Sequence, residues 1–198
     1  MRRAIPTMVA AAFVLAPTVA WAHAGHGEAS GLMHGFTHPI TGIDHVLAML
    51  AVGVLAAQFR GPALCLIPLS FVGVMTVGAA LGMAGTRLPF AELGVALSVI
   101  VLGLAIALPF RLRTLAGIAL VGLFALFHGH VHGAEMPAAA SALYYTAGFI
   151  GATALLHAAG IGLGLLFGAE TGRPGHHVVQ AGGRAMALFG AAILIGVL

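Results

Sequence analysis

Two short stretches of this chain concentrate the side chains that can bind metal. The first, FHGHVHGAE at residues 127–135, places three imidazoles and a carboxylate at the end of an apolar run. If the run is helical, His128, His132 and Glu135 share one stripe, while His130 points elsewhere. Ionisable side chains are costly in hydrocarbon, and within membrane segments they usually line a cavity or an ion pathway. The stripe therefore predicts half of a site for a divalent cation.

The second stretch is HGFTHPITGIDHVLAM, and its donors are His34, His38, Asp44, His45 and Met49. Because Pro39 suits the first turn of a helix, His38 is expected at a helix start, sharing a face with His45 and Met49. Asp44 can be a ligand, or it can accept the free ring N–H of His45. Imidazole and carboxylate donors suit nickel, cobalt, zinc or iron, whereas the absence of thiolates disfavours a Cu(I) site.

Composition indicates the environment in which these donors lie. The chain has 198 residues, of which 61% are hydrophobic and only 7% are charged. These values predict an all-α integral membrane protein, a compact bundle of about six transmembrane helices. The expected spans are Pro39 to Phe59, Pro62 to Gly82, Ala91 to Phe110, Leu112 to His132, Ser141 to Gly168 and Gly182 to Leu198.

Glycine spacing predicts how these helices pack. The pairs Gly160 with Gly164 and Gly78 with Gly82 are each four residues apart. Small residues at this spacing let helix backbones approach closely in lipid.

The N-terminus has the features of a secretory signal peptide. Arg2 and Arg3 precede an apolar stretch, and Ala20-Trp21-Ala22 forms a small-x-small cleavage site. We therefore expect residues 1–22 to be a signal peptide and residues 23–198 to form a single six-helix domain.

The arginines predict the topology. Arginines in alternate connections mark the cytoplasmic side, and only Arg87 lies on the other side; the cytoplasmic set is Arg60, Arg111, Arg113, Arg173 and Arg184. The N- and C-termini are then periplasmic in a bacterial cytoplasmic membrane, and both donor stretches meet its outer face.

Several partners are disfavoured by the same composition. The chain has no Lys and no Walker-type glycine loop, so an ATPase domain is not expected. The arginines act as topology signals in short loops, which disfavours nucleic acid as a partner despite a pI of about 10.0. Cys65 is the only cysteine, so no intrachain disulfide forms.

The motifs HPITGIDHVLAM and FHGHVHGAE closely resemble the two signature motifs of the HupE/UreJ family of nickel/cobalt transporters. The resemblance extends over nearly the whole chain. It implies uptake of Ni²⁺, or of Co²⁺ in some members, for hydrogenase or urease assembly. The implied protein is not an enzyme and has no prosthetic group; its partners are the transported ion and the bilayer. The matching residues, which are the expected metal site, are His38, Asp44, His45, His128, His132 and Glu135.

More peripheral donors remain open at this point. His23 and His26 can capture metal near the mature N-terminus or belong to a solvated tail. His157, in the fifth span, can be a ligand, a relay or a helix-packing hydrogen-bond partner. Glu170, His176 and His177 are expected on the cytoplasmic side, where they can receive the ion or, as the favoured interpretation, belong to an ordinary exposed loop.

Two other functions compete with transport by this chain. A metal sensor, or an accessory subunit of a larger transporter, would bind the ion without moving it alone. A di-iron membrane hydroxylase is suggested by the HxxxH spacing of His34 with His38 and of His128 with His132. The enzyme is disfavoured because an HxxHH box is missing and because both stretches are expected at the outer face.

Overall fold

A computed structural model describes residues 28–108, 113–167 and 175–196, and within these ranges every regular element is a helix. In chain order the helices are α1 (Glu28–Thr41), α2 (Ile43–Phe59), α3 (Ala63–Met83), α4 (Ala91–Ala107), α5 (Thr114–Ala134), α6 (Ala142–Leu166) and α7 (His176–Leu194). The predicted signal peptide and the side chains of His23, His26, Arg111, Glu170 and Arg173 lie outside the described residues.

Four of these helices, α3, α5, α6 and α7, are long and apolar enough to cross a membrane. The pair Gly31–Thr41 and Ile43–Phe59 passes the same test together, with a bend of 83° between its two parts. Helix α4 is apolar but shorter, at 17 residues. The predicted fold class is thus confirmed as an all-helical bundle with four candidate membrane spans, or five if the bent pair is one span.

The prediction of one straight helix from Pro39 to Phe59 was wrong. Gly42 has an extended backbone (φ −87°, ψ 112°), and it separates α1 from α2. Pro39 therefore lies inside α1, and His38 lies in the last turn of α1, where it was expected at a helix start. Glycine has a low helix propensity, so an apolar run that looked continuous breaks at this residue.

The bounds of the last helix also differ from the prediction. Helix α7 begins at His176, six residues before the expected Gly182. The loop predicted for His176 and His177 was therefore wrong: both residues are in the first turn, where His176 is buried and His177 is exposed. A hydropathy count misses this turn because helix formation depends on backbone hydrogen bonds and needs no continuous apolar sequence.

Close backbone contacts hold the helices together in pairs. Helix α3 packs on α5, α4 on α7, and both α1 and α2 on α6. A methyl group added at Gly78 would overlap the Leu126 carbonyl of α5, and one at Gly160 would overlap the Leu50 carbonyl of α2. Both predicted glycine pairs therefore lie at helix contacts, as expected for packing in lipid.

These contacts place the two donor stretches at one end of the bundle. Asp44 and His45 begin α2, while His128 and His132 lie in the last two turns of α5. Arg60 ends α2 and Arg113 precedes α5, so both arginines lie at the opposite end. These two arginines thus lie away from the donor stretches, and the orientation of the bundle in a membrane stays a prediction.

We predict that Gly160→Ala lowers the stability of the bundle, since the added methyl must displace the α2 backbone. Overpacking of this kind costs about 1–3 kcal/mol. Gly162→Ala is the matched control on the same helix, because nothing lies within 4 Å of its added methyl. Thermal unfolding in detergent measures the difference, and equal midpoints for the two variants would contradict the packing described here.

Candidate metal centre

Four imidazoles from three helices form a cluster at this end of the bundle. We call His38, His45, His128 and His132 the histidine cluster. The ring centroid of His45 lies 4.7 Å from that of His132 and 4.8 Å from that of His128. The His38 ring lies 4.9 Å from that of His132 and 6.4 Å from that of His45. Both predicted donor stretches therefore contribute to one site.

The bend at Gly42 brings His38 and His45 together. The two residues lie on different helices on either side of the bend, so the expected shared helix face is not the reason for their proximity. A Cβ atom at position 42 would lie 3.0 Å from both Asp44 Oδ1 and His45 Nδ1. A larger residue at position 42 would therefore crowd the Asp44 and His45 side chains, although it could adopt the same extended backbone.

Helix α5 carries a stripe of glycines beside a stripe of histidines, and together they explain the spacing of the FHGHVHGAE motif. Gly129 and Gly133 pack on the carbonyl groups of Met75 and Ala79 in α3. His128 and His132, each one residue earlier, are rotated by about 100° and enter the cluster. The glycines fix the distance between the helices, and the histidines then project into the space beside the contact.

Glu135 lies just outside the helical stripe on which it was predicted, whereas His130 points away from that stripe as predicted. Glu135, just beyond the end of α5, reaches back to α1, and its Oε2 lies 2.8 Å from His38 Nε2. His130 points away from the cluster, and its Nε2 lies 2.6 Å from the carbonyl oxygen of Thr86.

Asp44 orients His45. Its Oδ1 accepts the backbone N–H of His45 at 2.8 Å and lies 2.9 Å from His45 Nδ1. With Nδ1–H donating to the carboxylate, the lone pair is on Nε2. His45 Nε2 is buried and has no hydrogen-bond partner among the described residues, so it can donate to a metal.

Ser98 in α4 orients His128 in the same way. The Ser98 hydroxyl donates to the Val95 carbonyl at 2.6 Å, so its oxygen can accept the Nε2–H of His128 at 2.9 Å. The lone pair of His128 is then on Nδ1, which is buried and also has no partner within the described ranges. Ser98 was not among the residues predicted for the site, although a hydroxyl in an apolar helix is a signal of a polar neighbour.

His132 contacts both His38 and His45 in the cluster. Its ring stacks on Phe149 of α6 at 5.4 Å and 10°. Neither ring nitrogen has a hydrogen-bond partner in the described part of the chain. A buried polar group left unsatisfied costs about 1–3 kcal/mol, and a cation that takes up the lone pair would remove this cost.

Exposure decreases from the surface to the interior of the site. The side chain of Glu135 is 50% exposed, that of His38 31% and that of His45 11%, whereas His128 and His132 are fully buried. Asp44 and Glu135 are two of the five acidic residues in the chain. The outer part of the site therefore attracts cations, and the inner part offers neutral nitrogen donors.

The cluster is not a closed coordination shell. Within residues 28–108, 113–167 and 175–196, no three His, Cys, Asp or Glu side chains are already arranged to hold one metal ion. Rings whose centroids are under 5 Å apart can be brought to a common ion by side-chain rotation. An open arrangement suits an ion that must be released, since closed four-ligand sites are typical of structural metals.

The remaining predicted donors do not join the cluster. His34 is exposed on α1, so the pair His34 and His38 does not converge as a di-iron box would require. Met49 is buried one helical turn inward from His45, and its sulfur accepts a hydrogen bond from Thr153 at 3.2 Å. His157 is buried still further along α6, with 2% of its surface exposed.

Comparison with known proteins identifies the family of this chain. The chain is 45% identical over 180 residues to Protein HupE of Rhizobium leguminosarum bv. viciae, covering 91% of this chain and 92% of that protein. No solved structure matches the chain. The family profile described as HupE / UreJ protein, which represents transporters and not enzymes, matches residues 11–193. The protein whose histidine cluster is described above therefore belongs to the HupE/UreJ family.

Proposed function

We propose that this protein carries Ni²⁺, or Co²⁺, into the cell across the bacterial cytoplasmic membrane. The observation that carries the proposal is the histidine cluster, in which buried imidazole nitrogens without partners among the described residues lie beneath the exposed Glu135 and the half-buried Asp44. Imidazole with carboxylate is a donor set that suits nickel and cobalt. Family membership supports this cargo.

The ion enters through the exposed pair of His38 and Glu135. Their contact at 2.8 Å closes the outer edge of the cluster, and a divalent cation competes for both groups. The ion then passes to His45, His128 and His132. These residues are less exposed, and their imidazoles bind the ion in the uncharged form. Exchange between donors of similar strength keeps each step reversible, as conduction through a membrane requires.

The transport mode that we propose is a secondary permease or a facilitated-diffusion channel. The membrane potential, a proton gradient or trapping of the metal inside the cell would drive uptake. In this proposal the chain crosses the membrane six times with both termini in the periplasm, and α1 with α2 and the short α4 complete the six crossings. The imported metal supplies the assembly of hydrogenase or urease.

Transport by this chain alone is tested in proteoliposomes that contain only the purified full-length protein. Radiolabelled Ni²⁺ uptake is measured with Co²⁺ and Zn²⁺ as competitors, with and without an imposed pH gradient. We expect uptake that Co²⁺ inhibits more strongly than Zn²⁺. Tight metal binding without uptake would overturn the proposal in favour of a sensor or an accessory subunit.

We predict that His45→Ala or His132→Ala abolishes Ni²⁺ uptake, because each removes a donor of the histidine cluster. His177→Ala is the control, since this exposed histidine lies in α7 and contributes nothing to the cluster. Uptake into proteoliposomes is compared at equal amounts of monodisperse protein. Wild-type rates in both cluster variants would show that the ion takes another route.

We also predict that Ser98→Ala weakens uptake without abolishing it. The change removes the oxygen that accepts the Nε2–H of His128, so this ring loses its fixed tautomer and orientation. Loss of such a supporting hydrogen bond typically lowers metal affinity about 10–100-fold. The concentration of Ni²⁺ at half-maximal uptake should therefore rise. Thr76→Val, which removes a hydroxyl that bonds only within α3, is the control and should leave this concentration unchanged.

A further inference from the structure

A buried stripe on α6 continues inward from the histidine cluster. Tyr145, Phe149, Thr153 and His157 are four residues apart, and each is at most 2% exposed. Tyr145 and Phe149 contact the cluster through His38 and His132 respectively. Thr153 and His157 lie one and two turns deeper. The stripe covers about 18 Å along the helix, which is more than half of the hydrocarbon thickness.

His157 lies at the inner end of this stripe without a polar partner. Both of its ring nitrogens are buried, and neither has a hydrogen-bond partner within residues 28–108, 113–167 and 175–196. Its only ring contact in that part of the chain is with Phe71, at 5.1 Å and 87°. A helix-packing role would require a hydrogen bond to a neighbouring helix, and the described residues provide none.

The space between the cluster and His157 is lined by further donors. The Thr153 hydroxyl lies 3.2 Å from the sulfur of Met49 and 3.8 Å from that of Met75. Thioether sulfur and hydroxyl oxygen are weak ligands for borderline transition metals. Three helices, α2, α3 and α6, therefore present weak donors at one level, between two levels of imidazole.

Phe71 contacts both levels of imidazole. Its ring centroid lies 5.9 Å from that of His128 and 5.1 Å from that of His157. Beyond His157, Gly160 packs on the backbone of α2 at Leu50 and Gly53, and Gly164 packs on Ala57. The contact of α2 with α6 is already close at the level of His157, since a methyl group on Gly53 would overlap the His157 carbonyl oxygen.

We propose that His157 forms a second, deeper binding station for the transported divalent transition-metal ion, reached from the histidine cluster past Met49, Met75 and Thr153. The proposal rests on the transport function proposed above. In this scheme the ion leaves the cluster, passes Phe71 and the two sulfurs, and binds the imidazole of His157. Release to the other side follows when the contact of α2 with α6 opens.

Two measurements on full-length protein test this station. Equilibrium dialysis with radiolabelled Ni²⁺ counts the ions bound per chain in detergent, and proteoliposome uptake measures transport. We expect His157→Leu to bind one ion fewer than the wild type and to transport at least about tenfold more slowly, since loss of even a supporting residue costs that much. His177→Leu, the matched control on an exposed histidine, should change neither value.

His157→Gln separates metal binding from a packing role. Glutamine keeps a polar, hydrogen-bonding side chain at this position but lacks the imidazole nitrogen. We expect it to keep the fold, to retain the ion bound at the histidine cluster and to remain defective in uptake. Wild-type uptake in His157→Gln would overturn the deeper station, and so would an unchanged ion count in both variants.

The outcome for the station is separable from that for the proposed function. If the wild-type protein fails to transport Ni²⁺, the permease proposal fails, yet the ion count of wild type against His157→Gln still decides whether the deeper site binds metal. If the wild type transports Ni²⁺ and the His157 variants equal it in both ion count and uptake, the transport proposal stands and the deeper station fails.

Discussion

Close approach of helix backbones at glycine is the constraint on which the rest of this structure depends. Lipid gives apolar helices no hydrophobic reason to associate, so packing must come from backbone contact. Gly129 and Gly133 seat α5 on α3, and Gly160 seats α6 on α2. Because His128 and His132 adjoin the α5 glycines, the same contact that joins two helices also positions two imidazoles. The alternation of histidine and glycine in α5 therefore serves both helix packing and the site.

The cluster keeps polar groups in an apolar interior at a cost in stability. Asp44 and Ser98 each hold one ring nitrogen of a histidine, and this leaves the other nitrogen as a lone-pair donor. His132 has no such support among the described residues and relies on stacking against Phe149. Unsatisfied nitrogens favour binding of a cation, while the absence of a preformed shell favours its release. Both properties are needed for transport.

The type of metal donor changes with its depth in the bundle along the proposed path. Carboxylates lie at the surface, imidazoles beneath them, and thioethers with a hydroxyl further in, at Met49, Met75 and Thr153. The two carboxylates of the site, Asp44 and Glu135, thus lie at the end of the bundle, where water lowers the cost of an unpaired carboxylate. Neutral donors occupy the interior, because a buried carboxylate would hold a divalent ion too strongly to release it and would be costly when empty.

The sequence by itself determined the helical class, the membrane character and the two donor motifs, because hydropathy and the helical period are local properties. It also predicted the stripe of His128, His132 and Glu135, since these residues share one helix end. Only the tertiary structure decided the break at Gly42, the pairing of Glu135 with His38 and the roles of Ser98 and Phe149. Each of these depends on a neighbouring helix, or on a bend whose free energy is set by packing, and no local pattern reports such contacts.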